Sequence, residues 1–136
     1  MLANFSAIRN LLTTSSTIAV VGLSPKESRP SNLVARYLIN AGYRVIPVNP
    51  GQKQILGLPC FPSLSAIGAP VDIVDVFRRS EETGPIVEEA IRIGARAVWL
   101  QEGVVNTEAA ARARAAGLLV VMDQCLKTVH YELLAS

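Results

Sequence analysis

Histidine occurs once in this chain, at position 130, and cysteine twice, at positions 60 and 125, outside any Cys-x-x-Cys pattern. So few nitrogen and sulfur ligands exclude a structural zinc cluster, a disulfide framework and a Ser-His-Asp triad assembled around a spare histidine. Aromatic residues make up only 5% of the chain, and its 13 basic and 11 acidic residues are spread along it to a net charge of +2. Without basic runs or interleaved aromatics, polynucleotide binding is not expected. No apolar run approaches the length of a membrane span, and Met1 to Asn10, with Phe5, Ile8 and Leu12 on one helical face, does not read as a signal peptide. A soluble protein of the reducing cytoplasm is the expectation.

What is present is a core. Half of the 136 residues are hydrophobic and 18% are charged, which suits a single compact domain over 1–136. The period of the apolar residues alternates between helix and strand. Helical spacing at Leu33, Val34, Tyr37, Leu38 and Ala41 gives way to an apolar run from Tyr43 to Val48. The same pairing recurs from Ile86 to Ile91 with Ala95 to Leu100, and from Glu108 to Ala116 with Leu118 to Met122. Each helix closes on a glycine, Gly42, Gly94 or Gly117, suited to the left-handed conformation that ends a helix. Repeats of helix, glycine and strand imply parallel strands joined by crossovers, and strands without polar alternation imply a sheet covered on both faces. The spacing predicts five strands, Thr17–Leu23, Tyr43–Val48, Val71–Phe77, Ala95–Gln101 and Leu118–Asp123, in a doubly wound α/β sheet of order 3-2-1-4-5. A terminal helix over Cys125–Leu134 closes one face or, through Tyr131, Leu133 and Leu134, packs between subunits of a homo-oligomer. Pro47 to Pro70, rich in proline and glycine, reads as a connection with a helical turn at Ser63–Ile67.

In such a sheet a ligand lies beyond the carboxyl ends of the strands, where the strand order reverses. That rule selects Gly22 to Ser24, Asn49 to Lys53, Phe77 to Arg79, Gln101 to Gly103 and Asp123 to Cys125. Gly22 permits close backbone approach, and a helix starting near Pro30 aims free amides at an anion. Ser24 and Ser31 add hydroxyls, and Lys26 and Arg29 add positive charge. The loop is too poor in glycine for a dinucleotide fingerprint, and the second strand ends in Asn49-Pro50-Gly51-Gln52-Lys53 where an NAD site needs a carboxylate. A lysine there suits a phosphate on the adenosine ribose, which leaves NADP or coenzyme A; spacing alone does not separate the two.

The other conspicuous residues are expected to be structural. Trp99 is expected in the core, His130 on the surface or in helix packing, and Cys125 as a buried thiol, although near the strand ends it could meet the thiol of a ligand. Asp72 and Asp75 are too oddly spaced in their strand to share a face. Glu81, Glu82, Glu88 and Glu89 read as solvated helix charges.

The ordered motifs Val-Val-Gly-Leu-Ser, Arg-Pro-Ser, Val-Ile-Pro-Val-Asn-Pro, Gly-Leu-Pro-Cys-Phe-Pro-Ser-Leu, Val-Asp-Ile-Val-Asp-Val-Phe-Arg, Val-Trp-Leu-Gln-Glu-Gly-Val and Val-Val-Met-Asp-Gln-Cys span Ser16 to about Leu134. In them the chain resembles the small stand-alone CoA-binding proteins, relatives of the nucleotide-binding domain of the succinyl-CoA synthetase alpha subunit. The resemblance implies a Rossmann-like fold with coenzyme A across the strand ends. It implies phosphate contacts at Ser24 and its neighbours, a ribose phosphate near Lys53, and further contacts at Gln101 and Glu102 and at Phe77 and Arg78. The synthetase's phosphorylated histidine belongs to a second domain that has no counterpart in these residues, so no ligase activity follows. Non-catalytic binding of CoA or an acyl-CoA, as carrier, sensor or regulator, is the leading expectation. A small NADP-dependent oxidoreductase and an interaction module with a vestigial nucleotide site are the alternatives.

Overall fold

The computed structural model describes residues 4–135 of the expected 1–136 domain; Met1 to Ala3, part of the N-terminal stretch discussed above, lie outside the described residues. The main strands are β1 (Thr17–Val21), β2 (Arg44–Val48), β5 (Ile73–Val76), β6 (Ala97–Leu100) and β7 (Leu119–Val121), all parallel to their neighbours. A short antiparallel ribbon, β3 (Gln54–Ile55) and β4 (Leu58–Pro59), interrupts the connection after β2. The helices are α1 (Phe5–Thr14), α2 (Pro30–Asn40), α3 (Thr83–Arg92), α4 (Thr107–Ala115) and α5 (Leu126–His130), the last continuing as a π-helical turn over Tyr131–Ala135.

Alternation along the strands divides the core in two. Ala19, Val21, Val74, Val76, Val98 and Leu100 point toward α3 and α4, whose Val87, Ala90, Ala109 and Ala113 cover them. Ile18, Val20, Ile73, Ala97 and Trp99 point toward α1, α2 and α5, which contribute Leu12, Leu38 and Leu126. Burying each large aliphatic side chain is worth about 1.5 to 3 kcal/mol, so a sheet apolar on both faces needs both helical layers. Ile8, Leu11 and Leu12 are the inward face of α1, while Phe5, expected beside them, is exposed. Leu133 and Leu134 pack against the same core as α5, so Tyr131 alone of that apolar trio is exposed. Gly42, Gly94 and Gly117 follow their helices with φ of +102°, +73° and +92°, the left-handed turn that reverses the chain into the next strand.

The five-strand, doubly wound layout agrees with expectation, but the place of the third strand differs. The order is β2-β1-β5-β6-β7, so the strand after the proline-rich connection lies between β1 and β6 rather than outside β2. The vacant edge of β2 is met instead by the connection itself, through one parallel bridge between Val48 and Phe61. The chain then passes to the far side of β1, where the Asp72 carboxylate accepts the Ser16 and Thr17 amides at 2.8 and 3.0 Å. Crossover rules allow either order, and a helix-free connection this long does not choose between them. The consequence for the site is direct: the order reverses between β1 and β5, which sets Gly22 beside Phe77 and Arg78.

Candidate functional site

A cavity of about 750 Å³ opens at the carboxyl ends of β1, β5 and β6, against the N-terminus of α2. Gly22, Ser24, Lys26, Arg29, Ser31, Asn49, Phe77, Arg78, Gln101, Glu102 and Gly103 all line it. Lys53 does not. After Asn49 the chain turns away into the β3–β4 ribbon, where the Lys53 carbonyl accepts the Cys60 amide at 2.9 Å and its side chain is exposed.

Several of these side chains hold the backbone in place. The Ser31 hydroxyl is buried and accepts the Ser24 amide at 3.0 Å, and the Ser24 hydroxyl accepts the Lys26 amide at 3.1 Å. Asn32 donates to the Ser24 carbonyl at 2.8 Å, so the whole turn from 24 to 32 is fixed internally. Asn49 donates to the Leu23 carbonyl at 3.0 Å and accepts from Gly51 at 2.8 Å, tying the end of β2 to the end of β1. Gly22 has φ of +85°, and the space a side chain would take there is filled by the Phe77 carbonyl and the Arg78 side chain. Its glycine is thus required by the chain's own backbone.

The charges of the mouth are divided. On the α2 side, Lys26 and Arg29 are exposed, and among the described residues no carboxylate pairs with either. Pro30 at the start of α2 has no N–H, and the Asn32 and Leu33 amides fold onto the Arg29 carbonyl, which leaves the Ser31 amide facing the mouth. On the β5 side, Glu82 pairs with Arg78 at 2.9 Å and Arg79 at 3.2 Å. Hydrogen bonds from Arg79 and then Arg78 hold the Glu82 carboxyl down at about 2. Glu102 and, at the end of β7, Asp123 add negative charge on the far rim; the Asp123 carboxylate accepts the Gly103 amide at 2.7 Å.

Beneath the floor lies Asp75, fully buried in β5. Its Oδ1 accepts a hydrogen bond from Gln101 Nε2, and its Oδ2 has no partner. Burial raises its carboxyl to about 8, against which the Gln101 hydrogen bond acts in the opposite direction.

A family model described as a CoA binding domain matches residues 16–131. The chain belongs to this CoA binding domain family. It is 43% identical over 123 residues to the uncharacterized protein YneT of Bacillus subtilis (strain 168), covering 90% of this chain and 91% of that protein. It is 28% identical over 126 residues to acetate–CoA ligase [ADP-forming] I of Archaeoglobus fulgidus, an alignment of 85% of this chain with 18% of the ligase. Among solved structures, a hypothetical protein from Pyrococcus horikoshii OT3 superposes with a TM-score of 0.94 at 41% identity, covering 98% of this chain and 94% of that one. The fold also recurs in a dinucleotide-forming acetyl-coenzyme A synthetase 1 of Ca. Korarchaeum cryptofilum, with a TM-score of 0.71 at 24% identity over 79% of this chain and 26% of that one.

Within this CoA-binding domain the remaining expectations sort by environment. Trp99 is fully buried and donates its indole N–H to the Gln124 carbonyl at 2.8 Å. His130 is buried against α2, its Nδ1 2.8 Å from the Tyr37 hydroxyl and its ring edge-on to Tyr37 and Tyr43. Cys125 is half-buried on the cavity wall, more open than a core thiol. The glutamates read as solvated charges carry structure: Glu89 accepts the Leu64 and Ser65 amides, and Glu88 pairs with Arg112. Sequence reasoning missed Glu82 as the partner of two arginines and dismissed Asp75. The signal for Asp75 was an acidic residue inside an otherwise apolar strand, which is costly unless something depends on it.

Proposed function

We propose that this domain binds coenzyme A or an acyl-CoA across the strand ends, and that binding is its whole activity. The observation that carries the reading is the pair of unpaired cations, Lys26 and Arg29, beside the α2 amide end at the point where the sheet order reverses. A ligand rich in phosphate suits that half of the cavity, because the Ser31 amide at the α2 N-terminus, a Ser24 hydroxyl proton and two cations all favour anionic oxygen. The cavity also has the size of a site for a large nucleotide cofactor. Gln101, Glu102 and Gly103 then line the path of the less charged part of the ligand, with Phe77 offering an apolar surface. Lys53, outside the cavity lining, enters only as a third positive charge, from the segment that leads into the neighbouring ribbon.

Chemistry beyond binding has little support in these residues. The histidine is hydrogen-bonded to Tyr37 away from the cavity, so the Cys125 thiol on the cavity wall has no imidazole beside it. A carrier, sensor or regulator of the cytoplasmic CoA pool fits such a site. Calorimetric titration of the purified protein with CoA, acetyl-CoA, NADP and NAD tests the reading. Binding of CoA or acetyl-CoA in preference to both dinucleotides is expected; binding of NADP without CoA overturns it, and no binding of any of the four does so equally.

A further inference from the structure

We propose that Asp75 and Gln101 form a proton-set specificity element: the proton on the Asp75 carboxyl decides which end of the Gln101 amide faces the cavity. Only its consequence for a CoA-type ligand rests on the function proposed above. The pair bridges two environments. Asp75 lies inside the sheet with Val20 of β1 and Trp99 of β6 as its register neighbours, while Gln101, one residue beyond β6, is a wall of the cavity. Gln101 is therefore the route by which a state of the buried acid reaches the ligand.

The buried acid has no counter-charge. On its face of the sheet, α1, α2 and α5 turn aliphatic residues inward, and the titratable groups on that side are Tyr37, Tyr43, Cys125, His130 and, just after the β3–β4 ribbon, the uncharged thiol of Cys60, which burial raises. Tyr37 and His130 bond each other, and the Tyr43 hydroxyl donates to the Leu12 carbonyl at 2.6 Å. Arg78 and Arg79, at the mouth, are engaged by Glu82. Among the described residues no ion pair reaches Asp75, and Oδ2 is left without a partner. A lone carboxylate so placed keeps its proton, here to about pH 8.

The two ends of a glutamine amide have the same shape and opposite polarity. With Asp75 ionised, the Gln101 NH₂ turns to the carboxylate, the orientation in which the structure holds the amide, and the amide oxygen is left for the cavity. With Asp75 protonated, its O–H donates to the amide oxygen, and the NH₂ turns outward with its donors free. At neutral pH the cavity wall then offers a donor, which selects a ligand acceptor: a carbonyl, a ring nitrogen or a phosphate oxygen. Above the transition it offers an acceptor and rejects the same group, since two facing acceptors leave both unsatisfied.

Nuclear magnetic resonance of the ligand-free protein tests the pair directly. The Asp75 carboxyl carbon and the Gln101 side-chain NH₂ should titrate together between pH 6 and 9.5, and Asp75→Asn should abolish the Gln101 movement. Gln101 signals that stay fixed while Asp75 titrates overturn the proposal, as does an Asp75 already ionised at pH 6; both readings use the wild-type protein and survive a poorly folding variant. For the ligand, acetyl-CoA is the probe because it has no titrating thiol. Its Kd should rise at least fivefold from pH 7 to pH 9.5 in the wild type and lose that dependence in Asp75→Asn. A flat wild-type profile overturns the specificity role. If acetyl-CoA fails to bind at either pH, the function proposed above falls, while the resonance titration still decides for or against the pair.

Discussion

Gly22 and Phe77 meet so closely across the β1–β5 boundary that a Cβ at position 22 would stand 2.4 Å from the Phe77 carbonyl oxygen. That contact exists because β5 lies next to β1, and it joins the first loop of the cavity to the third. Gly22→Ala must therefore both strain a φ of +85° and push the 77–78 backbone away. We expect a loss of about 3 kcal/mol in urea unfolding. Gly117→Ala is the control: its φ is +92° but nothing lies within 4 Å of the added carbon, so backbone strain alone, about 1 kcal/mol, should appear. Equal losses at the two positions would show that the contact with Phe77 contributes nothing.

Much of this architecture was legible. Apolar runs placed all five main strands, and the glycines after α2, α3 and α4 marked where each helix stops, because local conformation and burial on both faces leave a direct trace in residue type. The order of the strands left none: it depends on which side of β1 a long connection passes, and that is decided by Phe61 bridging to Val48 and by Asp72 binding the start of β1. The β3–β4 ribbon was hidden for a local reason, since its turn uses Leu56 with φ of +55°, where Asn or Gly is the usual signal. In the cavity, positions near the strand ends were readable from topology, but partnerships only in part. Glu82 stands four and three residues after Arg78 and Arg79, a spacing at which such pairs form, but nothing in the residue order tells that Lys26 and Arg29 are left without a carboxylate.

The division of charge predicts unequal effects of removing cations. Lys26→Ala and Arg29→Ala should each weaken CoA binding about tenfold, equivalent to about 1.4 kcal/mol, and should flatten its dependence on salt. Arg78→Ala should cost less in affinity, because Glu82 already neutralises it. Lys53→Ala, on an exposed residue outside the cavity wall, should change affinity less than either Lys26→Ala or Arg29→Ala. Calorimetry at two salt concentrations ranks the four. A Lys53 effect larger than the other three would move the phosphate site from α2 to the ribbon.

Two carboxyls bias stability against pH in opposite directions. Glu82 is held at about 2 in the fold against 4.5 ordinarily, so its contribution is present above pH 4.5 and is lost as pH falls toward 2. Asp75 is raised to about 8 from 3.8, so the fold is favoured fully below 3.8 and progressively less as pH rises toward 8. Urea unfolding from pH 2 to 9 should show the acid loss diminished in Glu82→Gln and the decline above pH 4 diminished in Asp75→Asn. If Asp75→Asn follows the wild-type slope from pH 4 to 8, the buried carboxyl is not protonated in the fold.

Asp123 occupies a left-handed conformation, φ of +60°, and uses it to aim its carboxylate at the Gly103 amide, 2.7 Å away on the cavity rim. Backbone strain and hydrogen bond can be separated by substitution, because asparagine tolerates the conformation and retains an acceptor oxygen, glycine tolerates it without an acceptor, and alanine does neither. Asp123→Asn should stay close to wild type in stability, Asp123→Gly should lose the bond but relieve the strain, and Asp123→Ala should fall by about 1 to 2 kcal/mol. The decisive measurement is hydrogen exchange at the Gly103 amide, which should accelerate in Asp123→Gly and Asp123→Ala and remain protected in Asp123→Asn. A protected Gly103 in Asp123→Gly would mean that the Gln101–Val104 turn holds itself, and that the end of β7 plays no part in shaping the cavity.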